Sequence, residues 1–186
     1  TPLFKEMGKE ISPPEGIPIP CLPSVTEATG GLYGVWLIGG EPAAGKSTLA
    51  LQIAMSVARR RPVLYFDFEQ GQSVIKWHVH KALEGDKERI KEATSQLYIR
   101  HSMGSLEHDL NMIDKPCLVL VDSIQKVASS VTYRRESLES WVHKLEALKK
   151  YGHHVILVSE KKRGSYGTPS LEGYKETGEL EYAADA

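Results

Sequence analysis

Gly39-Gly40-Glu41-Pro42-Ala43-Ala44-Gly45-Lys46-Ser47-Thr48 is the stretch from which the rest of the chain is read. Gly40, Gly45, Lys46 and Ser47 fit G-x-x-x-x-G-K-[ST], a pattern whose glycines let backbone N–H groups approach phosphate oxygens. Val35-Trp36-Leu37-Ile38 ahead of it has strand character, and Leu49-Ala50-Leu51-Gln52-Ile53-Ala54 behind it continues as a helix, the context that the motif requires. The helix N-terminus adds partial positive charge beside the same phosphates. Gly40 through Thr48, with Glu41, Pro42, Ala43 and Ala44 between the fixed positions, are therefore expected to cradle a nucleoside triphosphate. Lys46 would reach its β and γ phosphates, and the Ser47 hydroxyl would ligate Mg²⁺.

Working outward, strands alternate with helices. Val63-Leu64-Tyr65-Phe66-Asp67-Phe68 is a β-branched and aromatic run that ends at Glu69. Val74, Ile75, His78, Val79, Ala82 and Leu83 share a helical face, and a short helix is expected over residues 86–94. Leu97-Tyr98-Ile99 reads as a short strand, with Ser105 placed to cap the helix of Leu106, Leu110 and Ile113. Cys117-Leu118-Val119-Leu120-Val121 is continuously apolar, as a strand buried on both faces is, and delivers Asp122 at its end. After an irregular loop from Ser123 to Arg135, Leu138, Trp141, Val142, Leu145 and Leu148 keep helical spacing, with Glu146 and Lys150 as an i,i+4 pair. His154 to Ser159 forms the next strand, ending at Glu160. The order implies an α/β fold, a mostly parallel sheet flanked by helices, with ligands outside the strands' carboxyl ends. The phosphate loop, Glu69, Asp122 and Glu160 all fall at that edge.

The totals limit the alternatives. With 186 residues, 41% apolar and 25% charged, the chain has the length for one domain with a substantial core. A net charge of −1 supplies no global field for a polyanion or a membrane, so any such contact rests on local clusters. Cys21 and Cys117 fit no metal or redox spacing, and no run of residues is long enough for a membrane span. A reducing, cytoplasmic location is expected, without a membrane. His78 and His80 lie two apart on a helix, and His153 and His154 are adjacent on a strand, so neither pair converges on a metal. Trp77 and Trp141 are expected in core or interface packing. Six prolines in residues 1–24 mark a linker or arm, either a free tail or a segment packed on this or a neighbouring subunit; residues 25–186 form the domain proper.

Triphosphate hydrolysis needs a bound Mg²⁺, a positioned water and groups that respond to charge on the γ phosphate. Asp122, after its apolar strand, is the expected Mg²⁺ partner with Ser47. Ser123 follows it, so no carboxylate adjoins Asp122 to activate water, and Glu69 on a neighbouring strand end takes that role. The alternative is that Glu69 caps the following helix or pairs with Lys76.

At these residues the chain resembles the RecA-like P-loop ATPases, and within them the ATPase domain of DnaB-type replicative helicases, with RadA-like and KaiC-like proteins second. The resemblance covers nearly everything after residue 16: Gly16-Ile17-Pro18, Leu22-Pro23-Ser24 and Thr29-Gly30-Gly31-Leu32; Phe66-Asp67-Phe68-Glu69; Asp122-Ser123-Ile124-Gln125; and Ser159-Glu160-Lys161-Lys162-Arg163 with the run from Ser170 to Asp185. It implies a RecA-like core binding ATP and Mg²⁺, with Lys46, Glu69, Asp122 and Glu160 in the catalytic set. The family usually carries glutamine, or histidine, where Glu160 stands; a carboxylate there repels the γ phosphate unless protonated, turned away or bridged by a metal. The resemblance also implies single-stranded DNA as partner, met by Lys161, Lys162 and Arg163, with Tyr166 and Lys175, on one loop and by Lys126, Tyr133, Arg134 and Arg135 on another. The alternative for both is a solvated surface loop. It further implies a homo-oligomeric ring, a hexamer in the helicases. The chain ends ahead of the family's last core strand and arginine finger, so weak turnover in isolation is expected. The rival reading is an ATP-gated DNA-binding or recombination-regulatory protein without unwinding activity.

Overall fold

A computed structural model describes residues 16–127, 134–160 and 183–185, Arg134 and Arg135 by their backbone alone. Five strands, β1 (Val35–Gly40), β2 (Val63–Asp67), β3 (Leu97–Arg100), β4 (Leu118–Asp122) and β5 (His154–Glu160), form one sheet in the order β1-β5-β4-β2-β3. Every pairing is parallel. The connecting helices are α1 (Pro23–Thr29), α2 (Lys46–Ala58), α3 (Gln72–Ala82), α4 (Lys87–Thr94), α5 (Leu106–Ile113) and α6 (Arg134–Ala147).

Side chains alternate across the sheet and separate two cores. Val63, Tyr65, Leu118, Leu120, Ile156 and Val158 face α2, α3 and α4, while Leu64, Phe66, Val119, Val121, Val155 and Leu157 face α5 and α6. The two central strands β2 and β4 are buried at every residue, which explains their unbroken apolar runs. Helix α2 buries Ala50, Leu51, Ile53, Ala54, Met55, Val57 and Ala58, more than one stripe, because sheet, α4 and the incoming segment cover it together. A leucine buried as completely as Leu120 contributes about 1.5–3 kcal/mol through its removal from water.

The described part of the proline-rich segment, residues 16–24, packs on the domain: Ile17 pairs with Leu32 as an isolated bridge, Ile17 and Ile19 enter the first core, and Pro23 opens α1. Several local expectations change. Ser105 makes no side-chain cap; Ser102 does, its hydroxyl accepting from Gly104 N–H one turn earlier, ahead of a 3₁₀ turn at Met103–Ser105. Within the loop expected after Ser123, Ile124–Lys126 forms a 3₁₀ turn on the wholly buried Ile124, and α6 already begins at Arg134. Glu146 meets Lys149, 3.7 Å away at i,i+3, because the last turn tightens to 3₁₀ over Leu148–Tyr151. Trp141 is partly buried against the second core, but Trp77 is 56% exposed, with the Lys81 ammonium 4.8 Å from its ring. No helix among the described residues is long and apolar enough to cross a membrane.

Candidate nucleotide site at the carboxyl edge of the sheet

β1 ends at Gly40 and α2 begins at Lys46, so the intervening loop lies across the helix N-terminus. Ala43 and Gly45 take positive φ of 60° and 82°; Gly45 does so without the strain that a Cβ imposes, and α2 starts at the next residue. Lys46 turns back and donates from Nζ to the carbonyl of Glu41, 2.8 Å away, on the exposed side of the loop. A phosphate that satisfies this ammonium would replace a neutral acceptor with a charged one.

Opposite the loop, the ends of β2 and β4 are joined by the Phe68 N–H, which donates to the Asp122 carbonyl at 2.6 Å. Asp122 is wholly buried. Its Oδ2 accepts from the Tyr65 hydroxyl at 2.9 Å, whereas Oδ1 is buried without a hydrogen-bond partner. Burial raises its pKa and the carboxylates of Glu69 and Asp67 add to the rise, while the hydroxyls of Ser47 and Tyr65 oppose it. A buried carboxylate oxygen without a hydrogen-bond partner, in a pocket that Ser47 also lines, suits a hard cation. Ser47 and Asp122 therefore fit the Mg²⁺ expected of them. Among the described residues no group of three or more His, Cys, Asp or Glu gathers as a metal cage. Mg²⁺ does not need one, since it is commonly held by one or two protein groups together with water and phosphates.

Glu69 lies just past β2 in a turn that Asp67 builds. Asp67 Oδ1 accepts from the N–H groups of Glu69 (3.1 Å) and Gln70 (2.9 Å), and Oδ2 accepts from Gly71 N–H at 2.7 Å. So Asp67, not Glu69, organises the start of α3, and the capping alternative for Glu69 falls away. Nor does Glu69 turn to Lys76: its Oε1 accepts from Ser123 Oγ and its Oε2 from Lys126 Nζ, each at 2.6 Å. Glu160, exposed at the end of β5, completes the surround. Lys46, Ser47, Thr48, Glu69, Asp122 and Glu160 thus line one pocket of about 340 Å³. A larger cleft of about 670 Å³, between α5 and the turn at Leu148–Tyr151, lies at the strands' amino ends, away from the phosphate loop. Ligands of open parallel sheets bind at the other edge.

The arrangement thus brings together the phosphate loop and the acidic residues named from sequence. Tyr133, Lys161, Lys162, Arg163, Tyr166, Lys175 and the side chains of Arg134 and Arg135 lie outside the described residues. Sequence reading missed Tyr65, Asp67, Ser123 and Lys126 as parts of the site. Of these, Asp67 had a signal, an Asp four residues before a glycine at a strand-to-helix turn.

The family model of the AAA domain matches residues 16–164. The chain belongs to the AAA domain family. This AAA domain is similar to the DNA repair protein RadA of Streptococcus pyogenes serotype M6, 34% identical over 93 residues, half of this chain and 19% of that protein. RadA of Pseudomonas aeruginosa is 30% identical over 139 residues, 74% of this chain and 30% of that protein. The matches thus span less than a third of these curated relatives. Among solved structures, the ATPase domain of G40P superposes with a TM-score of 0.71 at 19% identity, covering 98% of this chain and 78% of that one. A DnaB-like replicative helicase superposes with a TM-score of 0.73 at 18% identity, covering 98% of this chain and 53% of that one. The fold is the RecA-like P-loop ATPase core, as the resemblance implied.

Proposed function

We propose that the chain is the ATP-binding and ATP-hydrolysing core of a DnaB-type helicase or a related motor on single-stranded DNA. The observation that carries the reading is the convergence of Lys46, Glu69 and the donorless Oδ1 of Asp122 on one pocket at the carboxyl edge of the sheet. The loop's N–H groups and Lys46 bind the β and γ phosphates, and Ser47 and Asp122 hold Mg²⁺. When bound, the cation neutralises charge on the phosphate oxygens. Glu69 accepts a proton from a water whose oxygen forms the bond to the γ phosphorus, while the bond from that phosphorus to the β–γ bridging oxygen breaks. Glu160 adds a second carboxylate near the γ-phosphate position, which disfavours a simple sensor role unless it is protonated or bridged.

The basic runs at residues 161–163 and 134–135 supply the contact with single-stranded DNA, tracking backbone phosphates with little sequence preference. The working form is a homo-oligomer, in keeping with the resemblance of the sequence to ring helicases. A second reading, an ATP-gated repair or recombination protein, draws on the RadA relatives at 30–34% identity.

The test is ATP turnover with and without single-stranded DNA, alongside Lys46→Ala. Turnover that DNA stimulates and Lys46→Ala abolishes supports the motor. Nucleotide binding without stimulation favours the gated binding protein, and hydrolysis retained by Lys46→Ala would place the site elsewhere.

A further inference from the structure

Tyr65 carries a hydroxyl into an apolar layer. It shares the α2 side of the sheet with Val63, Leu118, Leu120, Ile156 and Val158, and it is 1% exposed. A phenol hydroxyl taken into such a core is costly unless it finds a partner. That partner is Asp122, whose Oδ2 accepts from the hydroxyl at 2.9 Å. The register explains the reach. Tyr65 stands opposite Leu120, and Asp122 lies two residues further along β4 on the same face, a step of roughly 6–7 Å that the length of a tyrosine ring spans. Tyr65 does not line the nucleotide pocket, so it meets the carboxylate from within the core.

The two oxygens of Asp122 are thereby made unequal. Oδ2 is committed to the phenol, whereas Oδ1 is buried without a hydrogen-bond partner. The inequality bears on which cation the carboxylate suits. Ca²⁺ takes carboxylates through one oxygen or both, in a flexible and variable set of ligands. Mg²⁺ is smaller, demands near-ideal octahedral geometry and keeps several of its waters. A carboxylate fixed through one oxygen offers only the other.

We propose that Tyr65 determines cation specificity: by holding Oδ2 it makes Asp122 a one-oxygen ligand and so favours Mg²⁺ over Ca²⁺ at the nucleotide site. The inference rests on the cation site proposed above for Ser47 and Asp122. Tyr65 lies outside the pocket and acts through Asp122, so it is a positioning residue. Without its hydroxyl, Oδ2 is released and the carboxylate is free to turn and offer both oxygens. The larger cation gains more from that freedom than the smaller.

The test titrates the binding of a fluorescent ATP analogue with Mg²⁺ and, separately, with Ca²⁺, for the wild-type chain, Tyr65→Phe, Asp122→Asn and the double variant. The analogue's own preference between the cations is common to all four proteins and cancels in the comparison. Melting temperatures measured without cation report whether each variant is folded. In Tyr65→Phe the ratio of the Ca²⁺ midpoint to the Mg²⁺ midpoint is expected to fall about threefold or more, and the double variant should match Asp122→Asn alone. An unchanged ratio in folded Tyr65→Phe overturns the inference and leaves the nucleotide site standing. So does a fall that persists on the Asp122→Asn background. Should Tyr65→Phe not fold, infrared difference spectra of the wild-type chain with each cation decide, the carboxylate bands being assigned through Asp122→Asn. One-oxygen ligation with both cations supports the role of Tyr65, and two-oxygen ligation overturns it. A wild-type chain that binds the analogue with neither cation overturns the functional reading, and the inference with it.

Discussion

Asp67 shows how much of the candidate site depends on a residue outside its lining. Its two oxygens accept three consecutive backbone donors and so set where Glu69 leaves the sheet. In Asp67→Asn one acceptor becomes a donor, and the Gly71 N–H loses its partner. On the role proposed for Glu69, the expected result is a fall in kcat of about tenfold or more, since small displacements of a proton acceptor are costly, with ATP affinity little changed. Steady-state turnover and equilibrium binding, measured side by side, separate this from general damage. The phosphate loop was legible because its chemistry demands fixed residue types at fixed spacing, and Asp122 and Glu69 because strands deliver them to a known edge. Ser123 and Lys126 were not legible as partners of Glu69. Their contacts join positions 54 and 57 residues apart, a relation set by the β2–β4 pairing and invisible to local pattern.

At the scale of elements, β3 is an edge strand among the described residues, and helix α5 is fastened beside it by one bidentate pair. Arg100 donates from Nε and Nη2 to the two oxygens of Asp109, at 2.8 and 2.7 Å. The Arg100 hydrogen bond holds the Asp109 carboxyl below its usual range, against the opposing effect of burial. A depressed pKa stabilises the fold above the unfolded carboxylate value, near 4, and that contribution is lost as pH falls through the folded value. Asp109→Asn should therefore lower stability at neutral pH by roughly 1–2 kcal/mol and flatten the loss of stability below about pH 4. Denaturant titrations of both proteins across that range measure the difference. All five strands were readable as apolar runs. Capping was less so, because Ser102 and Ser105 both suit an N-cap and only the 3₁₀ turn between them decides for Ser102.

For the molecule as a whole, residues 183–185 return to the start of β1. The Asp185 N–H donates to the Val35 carbonyl at 2.7 Å, its Oδ2 accepts from Val35 N–H at 2.8 Å, and Lys149 Nζ lies 3.0 Å from the same oxygen. Asp185→Ala should lower the melting temperature by about 2–4 °C, the shift that a loss of about 1 kcal/mol produces in a domain of this size. A scanning calorimetry pair checks it. Apart from that contact, β1 pairs along its length with β5 alone among the described strands, in a register that sets Val35 opposite Val155, 120 residues later. Closing so long a loop costs entropy before any contact rewards it. The strand that carries the phosphate loop is made before its partner and pairs only once β5 has followed. A piece cut from the first half of the chain would contain the whole binding motif and still lack the neighbour that gives it shape.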